Sequence, residues 1–589
     1  MSLTVKIHLL NSTKILEAEP GKSLYEILSH EGLMDAPCGG TGLCGKCKVR
    51  IESREAISAD TISVDSLSSD TISADAVSAD EVSDNVNQAF FTPEQLAAGW
   101  RLACSYKIVS DIRVELPEQL EMSNIVSQGY VKEFIHAPAA LLMADARTDA
   151  DADAHTDAQM ELPPSDVENA AVSVAYSKKA ACGMKDCYGI AIDIGTTTVI
   201  ATLVELNRGE EIESLACLNS QKAFGQDVIS RIHYAGSSKR GREILQKTII
   251  HDLSSLIKEL CRRHNLTMDN IYDVCVAGNT TMVHLLAGLD PAGMGKTPYL
   301  PAFQGALSLN GLTLGLPVAA DCNVYCLPAV SSFVGGDITG GILACGLEVP
   351  AEKMLFIDIG TNGEIVLADG KRFCACSCAA GPALEGMNIS CGVRAAPGAI
   401  EDVIITGDTL KYETIGGAAA TGICGSGLLS AIAEMRKAGI INKSGRLQPH
   451  ALVENAAGKK RFIIDARRQI FLTQQDIRQV QLAKGAILSG VNALLDAVGM
   501  EAGELTRVIV AGQFGAHLKA ESIIGSGLLP AEWSQIISYV GNTSKSGALV
   551  CLLAQPERTV IENLAENIHY IELSLLEGYE DLFVKCMQF

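Results

Sequence analysis

The sequence predicts a multi-domain α/β protein, with a small α+β domain first and a larger, duplicated α/β region after it. At 589 residues the chain is too long for one hydrophobic core. From residue 187 onward, apolar strands alternate with amphipathic helices, and "AIDIGTTTVIATLVE" at 191–205 is repeated as "FIDIGTNGEIVLADG" at 356–370. The predicted domains are a small domain at 1–116 with an acidic repeat insertion at 56–88, a partly low-complexity linker at 117–186, and a duplicated domain at 187–589 with halves at 187–350 and 351–589.

The charge of the chain is unevenly distributed. The formal net charge is −22, and two low-complexity segments, 58–85 and 141–160, together carry −11 of it. The remainder is mildly acidic and has no basic cluster, which argues against a nucleic-acid partner. No uncharged apolar run reaches about 18 residues, which argues against a membrane span. Nineteen scattered cysteines and the lack of a signal-peptide pattern favour a cytoplasmic protein with reduced thiols.

The small domain has the pattern of a β-grasp-like fold. "TVKIHLL", "KILEAE" and "KCKVRIES" alternate like strands, and "SLYEILSHEGL" predicts a short helix that Ser23 caps. The insertion at 56–88 repeats every five residues and ends most units with Asp. A solenoid needs more stacked repeats than this, so an acidic loop is the favoured interpretation. After the insertion, Cys104 is predicted to lead into a strand pair, "SYKI" and "IRVELP".

A cysteine-rich loop, "APCGGTGLCGKC", predicts a metal centre. Cys38, Cys44 and Cys47 are separated by five and two residues, a spacing that suits a glycine-rich iron–sulfur loop better than the paired knuckles of zinc sites. The next cysteine is Cys104, 57 residues after Cys47, and removing the 28 residues of the repeat at 58–85 leaves an ordinary separation. Zinc and plain buried thiols are the alternatives.

Two repeated turns predict a nucleotide site. Each places a carboxylate, backbone N–H groups and hydroxyls in one tight strand–turn–strand loop, as nucleotide phosphates and Mg²⁺ require. Two ordinary glycine turns are the alternative interpretation. The candidate nucleotide-binding residues of the two turns are Gly195, Thr196, Thr197, Thr198, Gly360, Thr361, Asn362 and Gly363, and the candidate catalytic residues are Asp193 and Asp358.

These motifs resemble two known families. Residues 1–116 resemble a [2Fe–2S] ferredoxin of the plant or adrenodoxin type, which implies that Cys38, Cys44, Cys47 and Cys104 are the cluster ligands. The paired turns resemble the phosphate motifs of the actin, sugar kinase and heat-shock chaperone ATPase superfamily, with its ribonuclease H-like fold. "VIVAGQFGAHL" resembles the adenosine motif of that superfamily, which implies that Gly512, Gln513 and Gly515 bind the nucleotide and that the two glycines permit its close approach. The two together resemble the reductive activators of corrinoid-dependent enzymes, and so do "VAGNTTMVHLLAGLDP", "AGPALEGMNISCGVRAAPGAI", "TGICGSGLL" and "YVGNTSKSGA".

The resemblance implies a function. An ATP-dependent activator would reduce the cobalt of a corrinoid protein or methyltransferase from Co(II) to Co(I) by one electron. Its cofactors would be a [2Fe–2S] cluster, ATP and Mg²⁺, its electron donor a ferredoxin or flavoprotein, and a homodimer is expected. Asp193 and Asp358 would serve the Mg²⁺–water shell or the attacking water, and the threonines would hold phosphate. Glu364 and Glu385 are further candidates for the general base, and an equally good interpretation makes them helix-end or turn residues.

Other functions and sites fit parts of the sequence. An activator of a 2-hydroxyacyl-CoA dehydratase would lack the N-terminal ferredoxin, a small-molecule kinase with a redox sensor would need no protein partner, and an electron carrier with a degenerate ATPase would not need two intact turns. Cys374, Cys376 and Cys378 alternate on one predicted strand, and small apolar filling near the cleft is favoured over a second metal site. Gly336 and Asp337 begin a predicted helix, and a structural cap is favoured over a catalytic role for Asp337.

Overall fold

The computed structural model describes residues 5–9, 15–18, 21–30, 47–52, 91, 95–96, 98–108, 112–115, 130–132, 134, 187–456, 458–512 and 519–589. The chain divides into two units, Met1–Glu121 and Met122–Phe589. Several predictions lie outside the described residues: the cluster ligands Cys38 and Cys44, the five-residue repeat, most of the linker at 117–186, and Gln513 and Gly515 of the "VIVAGQFGAHL" turn. Within the described residues, no helix is both long enough and apolar enough to span a bilayer.

The N-terminal unit is built on one mixed sheet. Its strands are β1 (Val5–Leu9), β2 (Ile15–Ala18), β3 (Lys48–Glu52), β4 (Trp100–Leu102) and β5 (Ile112–Glu115). They lie in the order β2-β1-β5-β3-β4, with β1 and β5 parallel. Helix α1 (Leu24–His30) begins where the Ser23 hydroxyl accepts a hydrogen bond from the Glu26 amide, as predicted. Leu24 and Leu28 are fully buried against the sheet, which confirms the β-grasp-like prediction.

The predicted strand pair after Cys104 is wrong in its first member. "SYKI" does not form a strand, and only Lys107 makes an isolated bridge, to Ser23. The chain instead turns after β4, where the Ser105 hydroxyl donates to the Leu102 carbonyl at 3.0 Å. The Leu24 amide then donates to the Tyr106 carbonyl, so this segment pairs with the start of α1 rather than with β5. The tertiary contact with the helix overrides the local strand preference.

The C-terminal unit contains two six-stranded sheets of related topology. The first half contributes β6 (Tyr188–Ile194), β7 (Thr198–Glu205), β8 (Glu210–Leu218), β9 (Ile271–Gly278), β10 (Gly305–Asn310) and β11 (Asn323–Ala329), in the order β10-β11-β9-β6-β7-β8. The second half contributes β12 (Lys353–Ile359), β13 (Gly363–Asp369), β14 (Phe373–Cys378), β21 (Arg507–Ala511), β22 (Ile537–Gly541) and β23 (Ile568–Tyr570), in the order β22-β21-β12-β13-β14-β23.

The two sheets repeat one five-stranded pattern. In each, an antiparallel meander (β6-β7-β8 or β12-β13-β14) is extended by two parallel strands beyond its first member. The duplication predicted from the sequence repeat is therefore present in the fold. Two three-stranded sheets complete the second half: β15 (Ala399–Thr406), β16 (Thr409–Thr414) and β17 (Gly422–Ile423), then β18 (Val453–Ala456), β19 (Lys459–Asp465) and β20 (Ile470–Thr473).

Helices cover these sheets. They are α2 (Val228–Ser237), α3 (Lys239–Arg263), α4 (Thr280–Ala287), α5 (Gly311–Leu314), α6 (Gly336–Ala344), α7 (Gly425–Lys437), α8 (Gln474–Val498), α9 (Ala520–Ser526), α10 (Thr543–Leu553), α11 (Gln555–Asn567) and α12 (Tyr579–Cys586). Two of these show how their sequence sets them. Helix α3 buries one apolar face, which includes Leu253, Leu256 and Leu260, and α8 begins with a reciprocal capping box between Thr473 and Asp476.

Helices α6 and α10 join the two halves. They pack so closely that a Cβ added to Gly547 would lie 2.3 Å from the Cα of Gly340. No side chain fits at that distance, so glycine on both helices is what permits the crossing. The N-terminal ends of the two helices follow β11 and β22, which occupy equivalent places in the two sheets.

The alternating cysteines of β14 lie in the core. Cys374, Cys376 and Cys378 are all buried in the cluster between the second sheet and α8. Burial raises the pKa of all three thiols, which keeps them protonated. Among the described residues no group of three or more His, Cys, Asp or Glu side chains is arranged to hold a metal ion. The interpretation of these cysteines as small apolar filling agrees with this environment.

Candidate functional site

The two repeated turns occupy equivalent places in the two sheets. Loop 1, residues 193–198, connects β6 to β7, and loop 2, residues 358–363, connects β12 to β13. Both are tight turns, in which the Gly195 amide donates to the Thr198 carbonyl and the Gly360 amide to the Asn362 carbonyl, each at 2.9 Å. Each loop lies at the carboxyl end of the strand that pairs with the parallel part of its sheet.

The aspartate of loop 1 is held by the opposite half. The Asn542 side-chain amide donates to Oδ2 of Asp193 at 2.8 Å, and the Ser544 hydroxyl donates to Oδ1 at 2.7 Å. Asn542 is also the N-cap of α10, where its Oδ1 accepts from the Lys545 amide. Burial raises the pKa of Asp193, against the opposing effect of these hydrogen bonds and of the Lys545 charge. The site therefore includes residues from both halves.

Five acidic side chains form what we call the carboxylate cluster: Asp193, Asp337, Asp358, Glu364 and Glu385. Burial, with the charges of Asp337, Asp193 and Glu385, raises the pKa of Asp358 to about 7. Burial and the charge of Asp193 raise the pKa of Asp337 to about 7. Burial, followed by the charges of Asp337 and Asp358, raises the pKa of Glu364 well above its usual value.

This concentration of carboxylates suits a cation. Like charges held together in a buried cleft repel each other, and a divalent ion relieves that repulsion. Mg²⁺ keeps several waters and is usually held through one or two carboxylates together with substrate phosphates. That mode of binding agrees with a cluster in which the described acids form no closed set of direct metal ligands.

Loop 1 rests on buried polar side chains of the first half. The Asn219 amide donates to the Gly195 carbonyl at 2.9 Å, and Arg231 donates to the Thr196 carbonyl at 2.5 Å. The Asn279 amide donates to the Thr196 hydroxyl at 3.1 Å. These contacts occupy the inner side of the loop and leave the Thr196 hydroxyl proton available for another acceptor.

Loop 2 has different supports. The Thr361 hydroxyl donates to Oε1 of Glu385 at 2.7 Å, and the Thr361 carbonyl accepts from the Gly381 amide. Burial raises the pKa of Glu385, while Thr361, Arg394 and Lys222 act in the opposite direction. The cleft thus also contains two cations, one from each half.

Gly512 lies directly beside the aspartate of loop 2. It follows β21 with a φ of 106°, and a Cβ there would lie 2.5 Å from the Ile359 carbonyl oxygen and 3.1 Å from Oδ1 of Asp358. A larger residue would therefore fill the space next to this carboxylate. Of the other predicted nucleotide residues, Thr198 and Gly363 are the buried first residues of β7 and β13, and Thr197 and Asn362 lie at the partly exposed tips of the loops.

Two of the four predicted cluster ligands, Cys47 and Cys104, are described, and they lie close together. Cys47 precedes β3 and Cys104 follows β4, and their Sγ atoms lie 3.1 Å apart although 57 residues separate them in sequence. The Ala103 amide donates to the Cys47 carbonyl at 2.7 Å, which holds the two segments together. The distance is too long for a disulfide, and two adjacent thiolates suit a shared iron. These residues fit an iron–sulfur cluster.

Asp337 has both a structural contact and an electrostatic one. The N-cap of α6 is Gly335, and Asp337 lies in the first helical turn, where its Oδ1 accepts from the Ile338 amide, as the interpretation of a residue at a helix start expects. The charge of Asp193 acts on Asp337, and the charge of Asp337 acts on Asp358, so Asp337 also belongs to the carboxylate cluster. The local pattern "GGDITGG" is typical of a helix start and cannot reveal carboxylates supplied by distant strands.

Two asparagines of the site were also missed from the sequence. Asn279 and Asn542 each follow a parallel strand and a glycine, in "VAGNTT" and "YVGNTS", and each caps the next helix. Asn279 contacts Thr196 of loop 1, and Asn542 contacts Asp193. The repeated Gly-Asn-Thr signal was available in the sequence and could have identified both.

Comparison with known proteins gives consistent matches along the chain. A family model for a 2Fe-2S iron-sulfur cluster binding domain matches residues 7–71, one for the RACo middle region matches 188–349, and one for the C-terminal, ASKHA domain of RACo matches 352–589. The corrinoid activation enzyme RamQ of Eubacterium limosum is 34% identical over 406 residues, covering 66% of this chain and 68% of the relative.

Two further relatives agree. The [Co(II) methylated amine-specific corrinoid protein] reductase of Methanosarcina barkeri is 26% identical over 412 residues, covering 65% of this chain and 73% of the relative. A solved structure of a reductive activator for a corrinoid, iron-sulfur protein is 31% identical and superimposes with a TM-score of 0.67, covering 99% of this chain and 98% of that one. The chain therefore belongs to the family of reductive activators of corrinoid proteins, with a [2Fe–2S] ferredoxin domain followed by an actin-like ATPase domain.

Proposed function

We propose that this protein uses ATP to drive the one-electron reduction of a corrinoid protein's cobalt from Co(II) to Co(I). One observation carries the proposal. Two aspartate loops from different halves converge on one carboxylate cluster, in a chain whose other unit brings Cys47 and Cys104 within 3.1 Å. An ATP-dependent activator requires both features, and a simple kinase or a simple electron carrier requires only one of them.

The cysteines of the small unit have one role in this proposal. Cys38, Cys44, Cys47 and Cys104 would hold the cluster, and Leu102 and Ala103, which are fully buried beside Cys104, keep that end of the site in the hydrophobic core. A bound [2Fe–2S] cluster of the plant type supplies single electrons at roughly −400 mV. The protein fold contributes the position of the sulfur atoms and the exclusion of water from one side.

In this proposal some residues of the ATPase domain bind the metal and the phosphates, and another accepts a proton. Asp193 and Asp358 would bind the waters of a Mg²⁺ ion, while Thr196 and the amides of both loops would bind phosphate oxygens. Asp358, with its pKa raised to about 7, is suited to accept a proton from an attacking water near neutral pH. Glu364 and Glu385 are weaker candidates, because the Ser377 and Thr361 hydroxyls already donate to them.

ATP is needed because the electron transfer is unfavourable. Each 100 mV of opposing potential costs roughly 2.3 kcal/mol for one electron. A nucleotide bound between the two halves can supply this free energy only by favouring one arrangement of the halves over another. The cross-half hydrogen bonds of Asp193 make the arrangement sensitive to what binds in the cleft.

The partners follow from the same reaction. We expect a corrinoid protein or corrinoid-dependent methyltransferase as electron acceptor, a ferredoxin or flavoprotein as donor, a homodimer as the assembly, and the cytoplasm, where thiols stay reduced, as the location.

The proposal is tested by following the cobalt spectrum. Cluster-loaded protein is mixed with a Co(II) corrinoid protein, a reductant and Mg-ATP, and Co(I) should accumulate only with ATP. Cys104→Ser should abolish the cluster absorbance and Co(I) formation, and Cys217→Ser, in β8 of the other unit, should change neither. Equal Co(I) formation without ATP, or no Co(I) with any corrinoid protein tried, would overturn the proposal.

A further inference from the structure

A short segment before the ATPase core is docked against it. The docking segment comprises residues 130–134, of which 130–132 and 134 are described. The Tyr130 amide donates to the Val540 carbonyl of β22 at 2.8 Å, and β22 is the edge strand of the second sheet. The Lys132 amide donates to the Ala344 carbonyl at 2.7 Å, at the C-terminal end of α6. The segment thus provides hydrogen-bond donors to one carbonyl at a sheet edge and to one carbonyl at a helix end.

The Lys132 side chain adds a buried ion triad. Its Nζ lies 2.8 Å from Glu348 and 2.9 Å from Glu557, and only 11% of the lysine side chain is exposed. Burial alone would lower the pKa of Lys132, but hydrogen bonds to both glutamates outweigh burial and raise it. The ammonium is therefore charged in place and bridges two acids that would otherwise repel each other.

Apolar contacts complete the docking. Val131 and Phe134 pack on the cluster that contains Leu343 of α6, Leu549 of α10 and Ile561 of α11. Backbone pairing, an ion triad and apolar burial together specify one position for the segment. Such convergence is unusual for a passive connection between domains.

The docking segment contacts both halves of the ATPase domain. Ala344 and Glu348 belong to the end of the first half, whereas Val540 and Glu557 belong to the second. A relative movement of the halves by a few ångströms would break hydrogen bonds of 2.7–2.8 Å on one side or the other. The docked position is thus compatible with one arrangement of the halves.

The same two helices reach the nucleotide site. The first turn of α6 carries Asp337 of the carboxylate cluster, and the start of α10 carries Ser544, which holds Asp193. The far end of α6 carries the Ala344 carbonyl that Lys132 binds. Between these ends the helices cross at Gly340 and Gly547 without room to slide independently. The site and the docking segment are connected through one packed pair of helices.

Docking also shortens a covalent connection. From Glu115, the end of β5, to Tyr130 the chain has 15 peptide steps, or at most about 50 Å. From Glu115 to Cys187, the residue before β6, it has 72 steps, or at most about 250 Å. Among the described contacts, those of the docking segment are the first after β5 that join the chain to the ATPase core, so its release would raise the upper limit of this connection about fivefold.

We propose that residues 130–134 are a releasable anchor for the tether of the electron-transfer unit, and that Mg-nucleotide binding between the ATPase halves favours the docked state. Mg-nucleotide should favour docking, and not release, because of the carboxylate cluster. Repulsion among these carboxylates opposes the arrangement in which the halves meet, and Mg-nucleotide relieves that repulsion. This inference rests on the proposed ATP site. By reciprocity, loss of docking weakens nucleotide binding by the same factor that nucleotide strengthens docking.

Hydrogen exchange on the whole chain tests the anchor directly. We expect the amides of Tyr130 and Lys132 to exchange at least about fivefold more slowly with Mg²⁺ and a non-hydrolysable ATP analogue. In the Lys132→Glu variant these amides should exchange fast with and without the analogue. The calorimetric Kd of this variant for the analogue should rise by the factor by which the analogue slows exchange in the unchanged protein. Lys132→Gln, which does not reverse the charge, should shift both quantities less, and Lys132→Arg should restore them.

The control variant is Lys353→Glu. It breaks an exposed ion pair with Glu504 in the second half, a pair that takes no part in the Lys132 ion triad, and should change neither exchange nor affinity. Nucleotide binding in calorimetry with unchanged exchange at Tyr130 and Lys132 would overturn the anchor and leave the proposed function standing. Absence of nucleotide binding would overturn both.

Discussion

The Asp193 carboxylate in loop 1 receives hydrogen bonds from Asn542 and Ser544, whereas the described residues supply no side-chain hydrogen bond to the Asp358 carboxylate in loop 2. Asp358 instead faces other carboxylates. The threonine hydroxyls of the two loops also differ. Thr361 of loop 2 donates its hydroxyl proton to Glu385, whereas the Thr196 hydroxyl of loop 1 accepts a hydrogen bond from Asn279 and, within the described residues, donates none.

This difference teaches that a duplicated motif does not carry duplicated roles. The copies share a turn because both need tight backbone geometry between two strands. Their side chains meet different neighbours, because the long connections of the two halves place different helices against the two loops. Loop 1 is suited to hold the halves together and to donate to phosphate, and loop 2 is suited to handle a proton or a cation.

The largest effect is expected from Asp358→Asn. Removing the carboxylate that is suited to accept a proton should lower the ATPase kcat by about 10²–10⁴-fold. Stability should be unchanged or higher, because one of several mutually repelling buried charges is lost. Phosphate release and thermal unfolding measure the two effects. Asp408→Asn, at an exposed aspartate, is the control, and a kcat within threefold of the starting protein would contradict a chemical role for Asp358.

Asp193→Asn should behave differently. The new amide nitrogen cannot accept a hydrogen bond, so Asn542 or Ser544 loses its partner, at a cost of about 1–3 kcal/mol in the free energy of unfolding. Urea unfolding of the Asp193→Asn and Asp358→Asn variants under the same conditions compares their free energies of unfolding. Equal stability of the two variants would show that the cross-half hydrogen bonds do not distinguish the loops.

The pH dependence of stability sharpens the comparison. Burial and neighbouring carboxylates raise the pKa of Asp358 and Asp337 to about 7, above the value of about 3.9 in an unfolded chain. The folded protein then binds more protons than the unfolded chain between about pH 4 and 7, so this contribution to stability is present below about pH 4 and is lost as the pH rises through 7.

Without Mg²⁺, the free energy of unfolding should therefore fall between about pH 5.5 and 7, the upper part of this window, and Asp358→Asn should reduce that fall by about 1–2 kcal/mol. Urea midpoints at several pH values measure it. A slope that Asp358→Asn leaves unaltered would mean that this carboxylate titrates normally.

The smallest effect is expected on the KM for ATP, which should respond differently to changes at Thr196 and at Thr361. Thr196→Val removes a hydroxyl proton that is available to a phosphate, and should raise the KM for ATP about 3–10-fold. Thr361→Val removes a proton already given to Glu385, and should raise KM less while lowering stability. Serine at each position should restore the original values. Equal rises in KM would indicate that both hydroxyls bind phosphate.

Much of the site could be predicted because its signals are local. The turn pattern around Gly195 and Gly360 is dictated by backbone geometry, and the spacing of the cysteines is dictated by cluster ligation. The place of Asp337 in the carboxylate cluster could not be predicted, because it depends on Asp193 and Asp358, which lie on distant strands. The strand predicted after Cys104 was wrong because contact with α1 decides the conformation there.

By itself the sequence determined the order of the domains, the duplication, the two aspartate loops and the candidate cysteine ligands. These features depend on periodicity, repeats and spacing within short segments, which are visible in the sequence. Only the tertiary structure decided which half supports which loop, how five carboxylates come to share one cleft, and where residues 130–134 dock. Those outcomes depend on contacts between residues up to 425 positions apart, such as Lys132 and Glu557, and no local pattern encodes the free energy of such contacts.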